Sequence, residues 1–166
     1  VSIQDGILYA ANGLVKRYDI SNLAHIRSLP PFATKTPVNS LIIHQQNETT
    51  KKLFVIGRSD QGVILEEIDI SGSSPLNGTN SFQLDMEGPQ IPFLFAVTKS
   101  GENLFITSDS NELHIFNFAR KKCIYRNFET LIKPISSLTI SQDGHQVYVV
   151  ANQVLIIYKL YKDYPN

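Results

Sequence analysis

The feature that most constrains this chain is that it repeats itself. Four stretches overlay: "SIQDGILYAANGLVKRYDI" from Ser2, "LIIHQQNETTKKLFVIGRSDQGVILEEIDI" from Leu41, "FAVTKSGENLFITSDSNELHIFNF" from Phe95 and "LTISQDGHQVYVVANQVLIIYKL" from Leu138. Each runs as a short apolar strand, a turn, a second strand, a tight polar turn and a third strand. The second strands anchor at Leu8, Leu53, Leu104 and Val147, which stand 45, 51 and 43 residues apart. A chain built this way must solve one packing problem several times over.

The segments carry strand chemistry. "KLFVIG", "NLFITS" and "QVYVVA" are rich in Val, Ile, Phe and Tyr, side chains that suit a pleated, buried surface. Alternation is impure in "LHIFNF", as expected of strands covered on both faces. Gly101 in "KSGEN" and Gly144 in "SQDGH" supply the positive φ that hairpin turns demand. Asn12-Gly13, "GRSDQG" and "SDSNE" fill the slot between second and third strands. "AHIRSL", "SFQLDM" and "CIYRNF" add a fourth strand to the first three units, and nothing comparable follows the last, for about 14 strands in all. Pro37, Pro92 and Pro134 precede the next unit's first strand, where a missing N–H is tolerated. No 3.6-residue stripe persists long enough for a helix. An all-β fold with several strands per unit of about 40–50 residues points to β-propeller blades of antiparallel four-stranded sheets. The approximate blades are 1–30, 38–86, 92–130 and 134–160 of one segment spanning 1–166.

Composition bounds the rest. The 166 residues carry 15 basic and 15 acidic side chains, so no overall field favours nucleic acid or an anionic membrane. No apolar run reaches the roughly 20 residues of a membrane span. Cys123 is the single cysteine, which excludes an internal disulfide. Asn47-Glu48-Thr49 and Asn77-Gly78-Thr79 match the N-glycosylation pattern, a short pattern that chance also produces. An intracellular location is favoured over secretion. No signal peptide is recognised, and a start at Val1 within patterned sequence suggests an excerpt or a processed product.

"VYVVANQVLIIYKL" resembles the YVTN and LVIVD propeller repeats, whose second strand sets Tyr-Val beside Ala and Asn. "LYAANGLVKRYDISN" is similar to the LVIVD form, in which an Asn-Gly-Leu turn leads into a strand ending Asp-Ile-Ser; "EEIDIS" repeats that ending. WD-repeat propellers are similar in period, but the chain has no Trp, so their Trp-Asp signature is missing. The resemblance implies the architecture and transfers no catalytic residue. It also implies a ring, since propeller blades close a circle of typically 4–8. Two full blades and two incomplete ones, the first short of most of its inner strand, leave three completions open. The chain belongs to a larger propeller (the favoured one), its ends complete a small ring, or another chain completes it.

A search for site chemistry returns structural readings. His25, His44, His114 and His145 lie in no ligand spacing, so no metal site is expected. Asp109-Ser110-Asn111-Glu112 lacks the glycine and distant glutamate of a calcium loop and fits a tight turn. Asp5-Gly6 and Asp143-Gly144 are turn chemistry. Nucleophile elbows and phosphate loops are absent, and no cofactor is called for. Cys123 beside Arg120-Lys121-Lys122 is read as structural over reactive. That turn, Lys16-Arg17 and Lys51-Lys52 are read as solvated hairpin tips over a phosphate surface.

What remains is the rim where blade-to-blade and second-hairpin loops meet: Phe32, Lys35, Arg58, Asp60, Asp109 and Lys133 are the candidate partner-binding residues. In "SLPPFATKTP", Phe32 either anchors a partner or tucks beneath its own loop. The leading expectation is a non-catalytic interaction module with protein partners, scaffolding a larger assembly. The alternative is a secreted or surface propeller that binds or processes a small ligand near its channel. RNA contact through the basic tips is a third and weaker expectation.

Overall fold

The computed structural model describes residues 1–60, 62–72, 79–84, 92–98, 100–108, 112–127, 135–141 and 143–159. Its described elements are all strands, and the chain divides into two compact units, Val1–Pro92 and Phe93–Asn166, each holding two sheets.

In the first unit, β1 (Ser2–Gln4), β2 (Ile7–Asn12), β3 (Leu14–Asp19) and β4 (Arg27–Phe32) form one sheet in that order. The second sheet follows as β5 (Val38–Gln45), β6 (Lys51–Ser59), β7 (Gly62–Asp69) and β8 (Thr79–Leu84). In the second unit, β9 (Pro92–Val97), β10 (Asn103–Ser108), β11 (Leu113–Asn117) and β12 (Lys122–Asn127) pair in sequence. The last sheet is β13 (Ile135–Ile140), β14 (Gln146–Ala151) and β15 (Val154–Lys159). Every pairing is antiparallel between chain neighbours, which is the up-and-down meander of a propeller blade.

The repeat is visible in the register. Each anchor faces an apolar or aromatic residue of the third strand: Leu8 opposite Tyr18, Leu53 opposite Ile68, Leu104 opposite Phe116 and Val147 opposite Tyr158. Burial explains the impure alternation. Leu53, Phe54, Val55 and Ile56 are consecutive in β6 and all buried, so both faces of that strand are covered. One core joins Tyr9, Val15 and Phe32 of the first sheet to Val38, Leu41, Leu53, Val55 and Ile68 of the second. The other joins Phe105, Leu113 and Ile115 to Ile135, Val147, Val149 and Ala151.

Turn chemistry recurs as well. Gly6, Gly13, Gly101 and Gly144 have φ between +69° and +75°, as the hairpins require. Thr98 and Ser141 open equivalent turns: the Thr98 hydroxyl accepts from the Asn103 N–H (3.1 Å) and the Ser141 hydroxyl from the Gln146 N–H (2.9 Å). The third strand of three sheets then bonds back to the first hairpin, Ile20 N–H to Gly6 O (2.7 Å), Ile70 N–H to Lys51 O (3.0 Å) and Phe118 N–H to Glu102 O (3.0 Å).

Two expectations need correction. The first sheet keeps a short inner strand, since Ser2–Gln4, three residues against eight in β5, pairs with β2 through an Asp5-Gly6 turn; fifteen strands are thus described where about 14 were expected. The prolines of "SLPPFATKTP" also do not keep Phe32 in a loop. β4 runs through Pro30 and Pro31 to Phe32 as an edge strand, where outward N–H groups are not needed.

Candidate functional site

Four of the six candidate residues fall within the described structure; Asp109 and Lys133 lie outside it, as do Pro134 and the Asn77 pattern. Of the four, Lys35, Arg58 and Asp60 belong to one end of the second sheet. Residues 33–37 run into β5, and Val38 pairs with Gly57, one residue before Arg58. Arg58 then pairs with Val63 across the β6–β7 turn that carries the exposed Asp60.

This end is held by close backbone approach. A Cβ on Gly57 would stand 2.1 Å from Pro37 O and 2.6 Å from Thr36 Oγ1, so the strand passes directly against the incoming loop. Thr34 Oγ1 donates to Thr36 O (2.9 Å), and Thr36 is buried. Lys35 adds a second tie. Its backbone N–H donates to Glu66 Oε1 (2.8 Å) and its Nζ to Ser81 Oγ (2.6 Å), while Glu66 and Ser81 face each other across β7 and β8. Glu66 is fully buried, so the Lys35 N–H satisfies a carboxylate oxygen that burial makes costly to leave unpaired. The loop is therefore a shaped surface over the sheet, with exposed polar groups at Lys35 and Asp60.

Phe32 is not part of that surface. It is buried in the first core, stacked with Tyr9 (centroids 6.3 Å apart, planes at 10°) and capped by the Arg17 guanidinium 4.4 Å above its ring. Arg17 Nε donates to Pro30 O (2.9 Å). Phe32 thus lies in the core shared by the first two sheets and not beneath a loop of its own, and Arg17 is a buried β3 residue, not a hairpin tip. The pattern hid this because Arg17 sits next to Lys16, yet the two point to opposite faces of one strand.

The other basic residues divide. Arg120, Lys121 and Lys122 are exposed in or beside a turn, with Lys121 at φ 51°. Lys51 and Lys52 lie in β6 and are ion-paired, Lys51 with Asp5 and Lys52 with Glu67 (2.9 Å), so they form no open phosphate surface. His114 is buried and its Nε2 lies 3.1 Å from Glu112 Oε2. Burial, with Lys52 close by, holds His44 below the usual histidine range, so it packs against Phe54 as a neutral ring at neutral pH. Among the described residues no three His, Cys, Asp or Glu side chains gather as a metal would need, and no helix is long and apolar enough to cross a membrane.

No family model and no curated protein sequence matches the chain. Solved structures do. The chain is similar to the β-propeller domain of Cps50 (Swd1) from Myceliophteria thermophila, at 16% identity and a TM-score of 0.65 over 95% of the chain. It is similar to Hsv2 of Kluyveromyces lactis at 9% identity and a TM-score of 0.65 over 98% of the chain. It spans about half the length of each, 49% and 48%. The fold is thus all-β and of the β-propeller class.

Proposed function

We propose that the chain is a non-catalytic interaction module: a portion of a β-propeller that scaffolds a larger assembly by binding protein partners through loops at the ends of its sheets. The observation that carries this is the end of the second sheet. There the 33–37 loop is pinned by Glu66, Ser81 and the close pass of Gly57, while Lys35 and Asp60 stay exposed. A loop held in one shape binds without the ordering cost that a floppy one carries.

The test is quantitative capture of the tagged chain at natural abundance, comparing wild type with K35E/D60R, both checked for fold by circular dichroism. Stoichiometric protein partners that fall at least fivefold with the variant support the reading. Absence of stoichiometric partners, or their full retention by the variant, contradicts it. The ligand-binding alternative is favoured by one observation: Asn47 tops an exposed turn, its Oδ1 accepting from the N–H groups of Thr49 (2.9 Å) and Thr50 (2.7 Å). Glycan mass on Asn47 of natural material would favour that secreted or surface reading, and recovery with intracellular partners would sink it.

A further inference from the structure

Arg17 is buried and carries a charge that no acid of the chain answers. It is 9% exposed, and it forms no ion pair among the described residues, unlike Arg27, Lys51 and Lys52. A cation taken out of water costs free energy unless it is paired and its N–H groups are bonded. Only Nε–H finds an acceptor, Pro30 O at 2.9 Å, while the Phe32 ring covers one face of the group. Nη1 and Nη2 donate to nothing among the described residues.

Tyr9 stands directly opposite Arg17 in the β2–β3 register and so shares its side of the sheet. It is 4% exposed, and its hydroxyl likewise makes no hydrogen bond among the described residues. Neither that hydroxyl nor the two Nη atoms are sealed from solvent, in contrast to Nε2 of His44. Burial pushes the Tyr9 hydroxyl above its ordinary 10, with Arg17 drawing it back and Asp5 raising it. The hydroxyl therefore keeps its proton at neutral pH and can donate. Both side chains point into the layer between the first two sheets, since Tyr9 belongs to the core that joins them. The carboxylates of this region are engaged elsewhere. Asp5 pairs with Lys51, and Asp19 with Arg27 and Ser21. Glu66, on the facing side of the second sheet, takes the Lys35 N–H.

We propose that Tyr9 and Arg17 form a carboxylate-binding notch between the first two sheets, in which a carboxylate accepts from Arg17 Nη1 and Nη2 and from the Tyr9 hydroxyl. A guanidinium's planar fork matches the two oxygens of a carboxylate. Phe32 and the surrounding core lower the local dielectric, which strengthens charge-assisted bonds. Low exposure at both residues admits a flat, narrow group. Asp5 and Asp19 oppose a second negative charge, so a monoanion is favoured over a phosphate dianion. The carboxylate comes from an acidic side chain of a protein or from a free small acid. The notch shares no residue with the loop surface at Lys35 and Asp60, so either reading can fail alone.

The test is an NMR titration of the purified chain, reading the Arg17 Nε–H and the Tyr9 ring, with sodium acetate against sodium chloride at matched ionic strength. Acetate should shift both signals saturably, and chloride should not. Y9F keeps the ring on Phe32 and removes only the hydroxyl. It should weaken acetate binding by about threefold to tenfold, the effect of one lost hydrogen bond. R17K keeps the charge, loses the fork and should abolish saturation; Y9F carries the test should R17K not fold. Shifts that chloride reproduces, or an affinity unchanged in Y9F, overturn the proposal. Inorganic phosphate binding more tightly than acetate overturns the carboxylate assignment. The source is read with a capped glutamate tripeptide and its glutamine counterpart. Tighter binding of the glutamate peptide than of acetate, with none of the glutamine peptide, supports a protein side chain; tighter binding of acetate supports a free acid.

Discussion

Gly57 shows how a single position can be held by something distant in sequence. It has no left-handed φ and sits mid-strand; what forbids a side chain is Pro37 O, 2.1 Å from where a Cβ would stand. G57A should destabilise the chain by about 1–3 kcal/mol, the usual cost of forcing atoms into filled space. G72A, where nothing lies within 4 Å, should stay within about 0.5 kcal/mol. Urea melts of both variants check this, and equal midpoints would refute the close-approach account. Such a constraint was not legible in the sequence, because nothing local to "VIGRS" names its neighbour. Gly101 and Gly144 were legible, since their constraint is the turn they sit in. Arg17 was misread for the same reason as Gly57: its partners Phe32 and Pro30 arrive from the next strand.

At the scale of elements, the Asp-Ile-Ser endings turn out to be small closures. Ser21 donates from both N–H (3.1 Å) and hydroxyl to Asp19 Oδ1, and the Ser71 N–H donates to Asp69 Oδ1 (2.8 Å). The Ser21 hydroxyl, then Arg27 and the Ser21 amide, hold the Asp19 carboxyl at about 2, below the ordinary 3.8. A carboxyl lowered on folding stabilises the folded state above its unfolded value and ceases to do so as pH falls through its folded one. The Asp19 contribution is therefore complete above about pH 4 and lost towards pH 2. D19N should flatten the acid limb of stability against pH over that window, measured by urea melts at stepped pH. An unchanged slope would show that Asp19 bears no such load. The strands themselves were legible because four copies of one pattern reinforce one another. The exceptions, β1 and the proline-bearing end of β4, are edge pieces whose pairing depends on a neighbour more than on composition.

For the whole molecule, the period alone led to the right class, because stacked sheets need strands apolar on both faces at regular intervals. The rim was less legible. A loop's partner is not written in the loop, and Phe32 looked as free as Lys35 until the fold buried it. The architecture also ranks local stability. β6 is paired on both sides and buried on both faces, whereas β15 is paired only to β14 among the described strands and exposes Leu155 and Ile157. Native-state hydrogen exchange should find β6 amides among the slowest and β15 amides faster by about a hundredfold or more, because exchange follows the local opening free energy. Uniform protection across the two strands would contradict this ranking.

The three bonds from third strands back to first hairpins, Ile20 to Gly6, Ile70 to Lys51 and Phe118 to Glu102, fasten three of the four sheets, each within its own stretch of chain. It follows that a break in the chain has a different cost inside a clasped stretch than outside one. A break within residues 33–37 would leave these clasps intact but release the ties of Lys35 to Glu66 and Ser81. Opening the chain between Gly6 and Ile20 severs one.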